Sequence, residues 1–250
     1  MKLIFLSFAD KKFINEKKIL FEEVKNSKLF EKIYILDEDY LINKKEFWIC
    51  HSNFILNNKR GYGYWLWKPF LILDILNKMD NDDILLYMDT GSSFNIDGLQ
   101  RFNEYINLLK NKSFLVFELI GCLNKNFIKK DVVEFFNLQD SFLNNNNISA
   151  TNILLKKTEF TMKIINSWYN YCSSDYNLIN NNIVLKNINT FVEHRHDQSI
   201  LSIIIEKNDK NNIIILQDET WFGNINWDKN ITRNYPILSL RRNPPNIIKN

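Results

Sequence analysis

The fold of this chain is set by two stretches: Arg60-Gly61-Tyr62-Gly63-Tyr64-Trp65-Leu66-Trp67-Lys68-Pro69, and Ile84-Leu85-Leu86-Tyr87-Met88-Asp89-Thr90-Gly91. The first places two glycines, four aromatic residues and two cations within ten positions. The second is an apolar run that ends on a carboxylate and a glycine. A buried strand that brings an acid to its carboxyl end is how an α/β sheet presents a ligand site. We therefore expect a site for an anionic ligand where these two stretches meet.

Composition indicates one ordinary globular domain, residues 1–250, because 45% of the residues are hydrophobic and 24% are charged. The net charge is +3, with lysines and acids mixed along the chain. No nucleic-acid-binding surface is indicated by this pattern. The cysteines Cys50, Cys122 and Cys172 are odd in number and widely spaced, which favours reduced thiols in the cytoplasm. No segment approaches the roughly 20 apolar residues that cross a bilayer, so we expect no stable membrane insertion.

Strand-like and helix-like runs alternate along the chain. This alternation predicts an α/β domain with a mostly parallel central sheet flanked by helices. The predicted strands are 3–8, 32–36, 84–88, 114–118, 150–155 and 213–216. The predicted helices are 15–26, 68–79, 98–110, 132–136, 159–172 and 196–205, with 40–58 helical or irregular and the asparagines at 144–147 in a loop.

The segment Asp89-Thr90-Gly91-Ser92-Ser93 spells the signature of aspartic proteases. That chemistry needs two carboxylates that share a proton. No second Asp-Thr-Gly or Asp-Ser-Gly occurs in the chain, which also has only 6 glycines and helices between its strands. A motif counts only in its structural context, so we do not predict a protease.

The segment Glu193-His194-Arg195-His196-Asp197-Gln198 has two interpretations. A His-x-His-Asp cluster offers metal ligands, and a metal-dependent hydrolase would use His194, His196 and Asp197. The chain has only 3 histidines, however, and a dinuclear site usually needs more ligands. In the other interpretation Asp197 caps the helix that begins here, and the helix start favours an anionic ligand. Capping and a role in the site are compatible, and we favour a site role.

The aromatic stretch also has two interpretations. Tyr64, Trp65 and Trp67 are ordinary core residues in the first. Arg60 and Lys68 favour the second, because cations are rarely buried without a partner. Cations beside aromatic faces suit a diphosphate with its base or sugar ring, and the glycines would let the backbone approach a ligand closely. The spacing matches neither a dinucleotide fingerprint nor a phosphate-binding loop, so neither NAD nor ATP is predicted.

Three ordered motifs resemble a group of GT-A-type glycosyltransferases from bacterial polysaccharide clusters and large DNA viruses. They are the aromatic stretch, the Leu86-to-Gly91 segment, and His194-Arg195-His196-Asp197-Gln198-Ser199. The resemblance runs through most of the chain and implies the nucleotide-diphospho-sugar transferase fold. Within that fold we expect residues 1–120 to form mainly the nucleotide-sugar side and residues 121–250 mainly the acceptor side.

The resemblance implies a UDP- or GDP-sugar donor at the carboxyl edge of the sheet and a glycan or lipid-linked acceptor. It implies hexosyl or pentosyl transfer in polysaccharide biosynthesis. Such enzymes carry an Asp-x-Asp motif that binds Mn²⁺ or Mg²⁺, whereas this chain has Asp89-Thr90-Gly91 and lacks the second carboxylate. One carboxylate can still bind a metal, with His194 or His196 as a further ligand. Without a metal, Arg60 and Lys68 would neutralise the leaving diphosphate.

The resemblance also assigns roles to individual residues. The catalytic candidates are Asp197, as general base or as the group beside the anomeric carbon, and Gln198. Asp131, His194 and His196 are weaker candidates for contact with the acceptor or the sugar. Arg241 and Arg242 either close over the diphosphate or lie in a frayed tail. A non-catalytic nucleotide-sugar-binding module is a further alternative. The donor-binding candidates are Arg60, Gly63, Tyr64, Trp65, Lys68, Asp89 and Gly91, with Asp89 as the metal ligand if a metal is used.

Overall fold

Residues 1–221 and 233–239 are described by a computed structural model of the chain. Its strands are β1 (Leu3–Phe8), β2 (Lys32–Leu36), β3 (Ile84–Met88), β4 (Ser93–Phe94), β5 (Phe114–Leu123), β6 (Asn146–Ile148), β7 (Asn152–Lys156), β8 (Ile213–Gln217) and β9 (Ile237–Leu238). Its helices are α1 (Ile14–Ser27), α2 (Glu38–Asn43), α3 (Lys45–Asn57), α4 (Gly61–Tyr64), α5 (Trp67–Leu76), α6 (Leu99–Leu108), α7 (Asn124–Phe127), α8 (Lys130–Phe136), α9 (Asp140–Leu143), α10 (Glu159–Ser174) and α11 (His196–Lys207).

The main sheet has the strand order β2, β1, β3, β7, β5, β6, and β8 also pairs with β5. The long strand β5 pairs with β7 near Phe114 and with β6 from Glu118 onward. Strands β1, β2, β3, β5 and β8 run in one direction, while β6 and β7 run in the other. The predicted α/β domain with a mostly parallel sheet is therefore confirmed, and two reversed strands are added to it.

Side chains alternate between the two faces of the sheet along each strand. Both faces are apolar here, and helices cover each of them. In β1, Leu6 and Phe8 pack in the core beneath α3, α5, α10 and α11, whereas Phe5 packs in the core beneath α1 and α6. All five residues of β3 are buried. A continuous apolar strand is what a sheet covered on both faces requires.

The asparagine run at 144–147 is not wholly a loop, since Asn146–Ile148 forms β6 against β5. Pairing with a neighbouring strand outweighs the poor strand propensity of asparagine. Arg241 and Arg242 lie outside the described residues, so their predicted closure stays a prediction. No helix within residues 1–221 and 233–239 has the length and apolarity needed to span a bilayer.

The residues of interest lie at the carboxyl edge of the parallel strands. The parallel strands β1, β3 and β8 end there, and the reversed strand β7 begins there, with Met88 opposite Asn152. Asp89 follows β3 directly, and its backbone N–H donates to the Thr151 carbonyl over 2.8 Å. Ala150 and Thr151, just before β7, therefore flank the acid that the sequence singled out.

Candidate functional site

Asp89 lies at the carboxyl end of β3 with one oxygen held on both sides. The Tyr87 hydroxyl donates to Oδ1 over 2.6 Å, and the Lys68 ammonium lies 3.1 Å from the same atom. Oδ2 accepts no hydrogen bond from the described residues. The side chain is 31% exposed, so this second oxygen is the part of the carboxylate that is available to a ligand.

Lys68 is the buried centre of the site, at 2% exposure near the start of α5. Its ammonium lies 3.1 Å from Asp89 and 3.4 Å from Asp197 Oδ2, and it donates to the Ala150 carbonyl over 3.0 Å. Burial lowers the pKa of Lys68, but the two carboxylates outweigh burial and raise it overall. Lys68 therefore carries its charge in the interior, and two carboxylates share it.

Asp197 lies in the first turn of α11 and is 3% exposed. Its carbonyl accepts the indole N–H of Trp168 over 2.8 Å, which fixes the start of the helix. Its Oδ2 makes no hydrogen bond in the described residues, and Lys68 is its nearby counter-ion. Burial, with a smaller contribution from Asp89, raises the pKa of Asp197 to about 7, although Lys68 acts against this rise.

This burial bears on the predicted catalytic role of Asp197. Of the three charged side chains, only Asp89 reaches solvent, because Lys68 and Asp197 are 3% and 4% exposed. Asp197 therefore cannot touch an acceptor hydroxyl unless the cluster opens. Lys68 likewise cannot neutralise a diphosphate while it holds two carboxylates, so its predicted donor-binding role does not fit its position.

The short element α4, together with Trp65, is a left-handed turn that connects α3 to α5, the helix of Lys68. The five consecutive residues from Gly61 to Trp65 have φ values of 56°, 51°, 87°, 53° and 59°. Two backbone hydrogen bonds of helical spacing close the turn, from Tyr64 to Arg60 and from Trp65 to Gly61. Each non-glycine residue in this conformation costs roughly 1–2 kcal/mol. Packing must hold such a turn, and strained backbone of this kind clusters at functional sites.

The rings of the turn pack against the start of α11. The Tyr64 ring stacks on His196, with centroids 4.7 Å apart, and the Trp65 ring lies 5.5 Å from it. Tyr64 is buried, whereas Trp65 is partly exposed and covers Gly61. Trp65 is therefore the ring of this pair that can contact a ligand, and the core interpretation holds for Tyr64.

The two predicted glycine contacts differ. A side chain at Gly63 would collide with Ile55 of α3, so glycine is needed there for packing. A Cβ at Gly91 would meet no atom of residues 1–221 and 233–239 within 4 Å, so no described group covers the backbone beside Asp89. Of the two, only Gly91 offers the close approach expected of a ligand-binding glycine.

His194 and His196 hold the preceding loop rather than a metal. His194 Nε2 donates to the Leu178 carbonyl over 2.8 Å, and its Nδ1 accepts the backbone N–H of Lys129. His196 Nδ1 donates to the Ile179 carbonyl over 2.6 Å. Burial lowers the pKa of His194 to about 3 and that of His196 to about 4, so both rings are neutral. A hydrolase centre built on these rings is not favoured.

The described residues also do not fit the Mn²⁺ or Mg²⁺ ion for which Asp89 is the expected ligand if a metal is used. In residues 1–221 and 233–239, no group of three or more His, Cys, Asp or Glu side chains is placed to hold a metal. Hard divalent cations need several oxygen ligands. Here Asp89 is the exposed carboxylate of its cluster, and one of its two oxygens, Oδ1, already contacts the Lys68 ammonium.

The remaining predicted residues lie around the cluster. Arg60 lies at the surface and pairs with Glu193 over 2.7 Å. The Gln198 amide accepts from the Ala150 N–H and donates to Asn147, so it holds the backbone that contacts Lys68. Asp131 accepts the N–H groups of Val184 and Leu185 and fixes a surface loop.

Sequence reasoning missed two contributors to the site. Tyr87 lies two residues before Asp89, and the period of a strand places both on one face, so this signal was present in the sequence. The Ala150 carbonyl contributes through its backbone, which no residue pattern reveals. The Tyr87 hydroxyl holds Asp89 in place, and the Ala150 carbonyl holds Lys68.

Several solved structures have a fold similar to that of this chain. Neither a protein-family model nor a curated protein sequence matches this chain. The structure of mouse xyloside xylosyltransferase 1 is similar over 98% of this chain and 99% of that protein, with a TM-score of 0.52 and 10% identity. A glycosyltransferase involved in the glycosylation of the major capsid of PBCV-1 is similar over 95% and 92%, with a TM-score of 0.51 and 11% identity.

A third similar structure is the bifunctional glycosyltransferase WbbM. The similarity covers 95% of this chain and 45% of that protein, with a TM-score of 0.54 and 12% identity. At these identities the similarity concerns the fold. The chain has the fold of GT-A-type glycosyltransferases, as the three sequence motifs predicted.

Proposed function

We propose that this chain is a glycosyltransferase that moves a hexosyl or pentosyl group from a UDP- or GDP-sugar to a glycan or lipid-linked hydroxyl acceptor. In this reaction the acceptor oxygen forms a bond to the anomeric carbon of the sugar. The bond from that carbon to the diphosphate breaks, and the diphosphate leaves with the electron pair. The acceptor proton passes to a base. We place this chemistry at the exposed face of Asp89.

The observation that carries the proposal is the half-exposed carboxylate at the carboxyl edge of a GT-A-type sheet. Ligands of open α/β sheets bind at this edge. Asp89 Oδ1 is fixed by Tyr87 and Lys68, so Oδ2 is oriented before any ligand arrives. An ionised carboxylate only accepts hydrogen bonds, and a sugar hydroxyl of the donor is a suitable partner.

Asp197 and Gln198 keep a place in this proposal as positioning residues. Asp197 contacts Lys68, and Gln198 holds the Ala150 backbone, whose carbonyl also contacts Lys68. Together they fix the ammonium that orients Asp89. Small displacements at a reacting centre cost rate steeply, so residues without substrate contact can still control turnover.

Arg60 is the cation that we assign to the diphosphate. Its side chain is 46% exposed, and that of its partner Glu193 is 42% exposed, so a phosphate can replace the carboxylate. A guanidinium offers paired donors that match phosphate oxygens. Trp65 lies in the same turn and supplies a partly exposed face for the base or sugar, while Gly91 leaves room beside Asp89.

The division into a donor side, residues 1–120, and an acceptor side, residues 121–250, is part of the proposal. Asp89, Arg60 and Trp65 fall in the first part. His194 and His196 are buried, and Asp131 accepts hydrogen bonds from the backbone of a surface loop. We therefore propose that these three residues affect acceptor binding by holding the loop between α10 and α11 in place. Metal ions have no assigned step.

A thermal-shift screen tests the proposal. Wild type is mixed with UDP-glucose, UDP-galactose, UDP-xylose and GDP-mannose, each with EDTA and with Mn²⁺, and nucleotide release is followed by chromatography. We expect at least one donor to raise the melting temperature by mass action and to release its nucleotide. Asp89→Asn should lose that shift, while the exposed control Asp97→Asn should keep it. If no donor shifts the wild type and no nucleotide is released, the transferase proposal is wrong.

A further inference from the structure

A polar groove lies apart from Asp89, between the end of α3 and the segment that follows α10. It encloses about 440 Å³. Amide side chains dominate its lining, from Asn58, Asn177, Asn180 and Asn182, together with the carboxylate of Asp175. Among the described residues no lysine or arginine lines it, so this lining is unsuited to a phosphate group.

Several hydrogen-bonding groups in the groove lack a partner among the described residues. Asn177 accepts from Asn180 Nδ2 over 3.1 Å, which leaves both of its own amide N–H groups free. Asn58 Nδ2 donates to the Phe54 carbonyl over 2.8 Å, which leaves Oδ1 free. Asp175 Oδ1 accepts the Asn177 N–H over 2.9 Å, which leaves Oδ2 free. Donors and acceptors therefore stand side by side along one groove.

An aromatic pair forms another part of the lining. The rings of Phe54 and Tyr176 stack with centroids 3.9 Å apart and an angle of 13° between their planes. The Tyr176 hydroxyl lies 2.7 Å from His51 Nδ1 and donates to the Cys50 carbonyl over 3.2 Å. Both contacts fix the pair, so the groove has a rigid apolar surface beside its amides.

A buried lysine holds the asparagine side of the groove. Lys129 is 0% exposed, and its ammonium donates to Asn180 O over 3.0 Å, to Asn180 Oδ1 over 3.1 Å and to Asn182 O over 2.6 Å. No carboxylate pairs with this ammonium in the described residues. A buried cation is costly unless its donors are used, so the three bonds to one short loop fix that loop firmly.

Two hydrogen bonds link the walls of the groove to elements that flank the Asp89 site. The Asn58 carbonyl accepts the N–H of Gly63 in the left-handed turn over 2.8 Å. Ile179, next to Asn180, accepts from His196, and Asp197 follows His196 directly. The groove therefore adjoins both the turn that carries Trp65 and the start of the helix that carries Asp197.

We propose that this groove binds a neutral oligosaccharide, namely the acceptor glycan of the transferase. This assignment rests on the proposed function. Each sugar hydroxyl both donates and accepts, which matches mixed amide and carboxylate groups, and the C–H face of a sugar packs on an aromatic ring. The groove adjoins the turn that carries Trp65, so we place the end of a bound chain toward the sugar held at Asp89.

Saturation-transfer NMR with lactose, cellobiose, maltotriose and chitobiose tests the groove on the full chain without any donor. We expect at least one of these sugars to bind wild type. Ser174→Trp fills the groove from the exposed end of α10 and should abolish the signal. Asn166→Trp, two turns earlier on α10 and outside the groove, is the matched control and should keep it. Asn177→Ala should weaken binding about threefold to tenfold, because it removes one or two neutral hydrogen bonds.

The outcomes separate this proposal from the proposed function. If none of the four sugars binds, or if Ser174→Trp binds them as wild type does, the groove assignment is wrong. If Ser174→Trp does not fold, Asn177→Ala takes its place, and wild-type binding of the sugars by Asn177→Ala would also make the groove assignment wrong. If nucleotide sugars shift the melting temperature and no oligosaccharide binds, only the groove fails. If oligosaccharides bind and no nucleotide sugar does, the groove is an oligosaccharide site, and both the transferase proposal and the acceptor role of the groove are wrong.

Discussion

Arg60 and Lys68 begin and almost end the same ten-residue stretch, yet they lie in opposite environments. Lys68 is 2% exposed and holds Asp89 and Asp197, whereas the Arg60 side chain is 46% exposed and holds Glu193. Losing a buried partner is costly, but an exposed ion pair is worth only about 0–1 kcal/mol. Lys68 therefore maintains the structure of the site, and Arg60 is free to exchange its partner for a ligand.

The left-handed turn separates the two environments. Arg60 precedes it, and Lys68 follows it by three residues, so the turn lets one cation stay at the surface while the other enters the core. Gly63 packs against Ile55, and Trp67 donates its indole N–H to the Gly61 carbonyl over 2.9 Å. These contacts hold the turn in spite of its strained backbone.

The largest effect is expected from Lys68→Met. This change removes the cation and leaves two carboxylates facing each other, of which Asp197 is buried. Breaking a buried pair costs about 3–5 kcal/mol, so the free energy of unfolding in urea should fall by this amount, and transfer should be lost. Lys78→Met is the control, because Lys78 pairs with Asp74 while 42% exposed, and it should cost no more than about 1 kcal/mol.

A double variant sharpens this first test. Lys68→Met combined with Asp197→Asn removes one positive and one negative charge together, so much of the lost stability should return. A double variant as unstable as Lys68→Met alone would show that the ammonium stabilises the core by packing rather than by charge.

The next effect concerns Asp197→Asn. If Asp197 positions Lys68, kcat should fall about 100-fold while KM for the donor stays unchanged, because a small displacement at the reacting centre costs this much. Wild-type kcat should rise with pH through about 7, as the buried Asp197 ionises, and the variant should lose this rise. If Asp197→Asn loses stability but keeps the pH profile of wild-type kcat, Asp197 has only a structural role.

The next effect concerns the buried ring of His196. His196→Asn tests how the burial of this ring makes stability depend on pH. Burial, and to a lesser extent Arg60, lowers the pKa of His196 from 6.5 to about 4. The unfolded chain therefore binds a proton between pH 6.5 and about 4 that the folded chain does not, and stability is lost as pH falls through this window. Each pH unit costs wild type about 1.4 kcal/mol, and the variant should be spared this loss.

Asparagine is a matched replacement at this position. It tolerates the φ of +50° found at His196 and offers an N–H to the Ile179 carbonyl. Urea unfolding at several pH values should show the two proteins converging toward pH 7.5 and separating below pH 6.5. Parallel curves would mean that His196 is protonated in the folded state.

The sequence indicated which residues lie at this edge of the sheet better than it indicated which residues they contact. Asp89 ends a buried strand, and such strands deliver side chains to a known edge of the sheet, so its place followed from local pattern alone. Lys68 and Asp197 are 129 positions apart in the chain. Their contact depends on how α5 and α11 pack, which no local pattern states. Lys68 was therefore assigned to a diphosphate instead of to two carboxylates.

The left-handed turn was also beyond local reasoning. Two glycines hinted at unusual backbone, but Tyr62, Tyr64 and Trp65 adopt positive φ as well, against their own preference. Tertiary packing imposes that conformation. The same kind of long-range pairing turned Asn146–Ile148 into a strand.

Arg60→Ala should have a smaller effect, confined to binding. Its ion pair with Glu193 is exposed, so stability should change by less than about 1 kcal/mol. Loss of a charge-assisted contact to the diphosphate should weaken donor binding about tenfold. Glu193→Ala frees the guanidinium and should leave donor affinity equal or higher. Equal donor affinity in wild type and Arg60→Ala, measured by calorimetry, would remove Arg60 from the donor site.

Removal of divalent metal should have the smallest effect of all. Lys68 and Tyr87 both contact Asp89 Oδ1, so we expect transfer by the dialysed protein to be the same with EDTA and with Mn²⁺. Gly91→Asp adds a second carboxylate in open space, and Mn²⁺ should raise donor affinity in that variant alone. If EDTA stops the wild type and Mn²⁺ restores it, Asp89 binds a metal and the buried ammonium must move aside. The contrast between Lys68 and Arg60 would then hold only for the ligand-free protein.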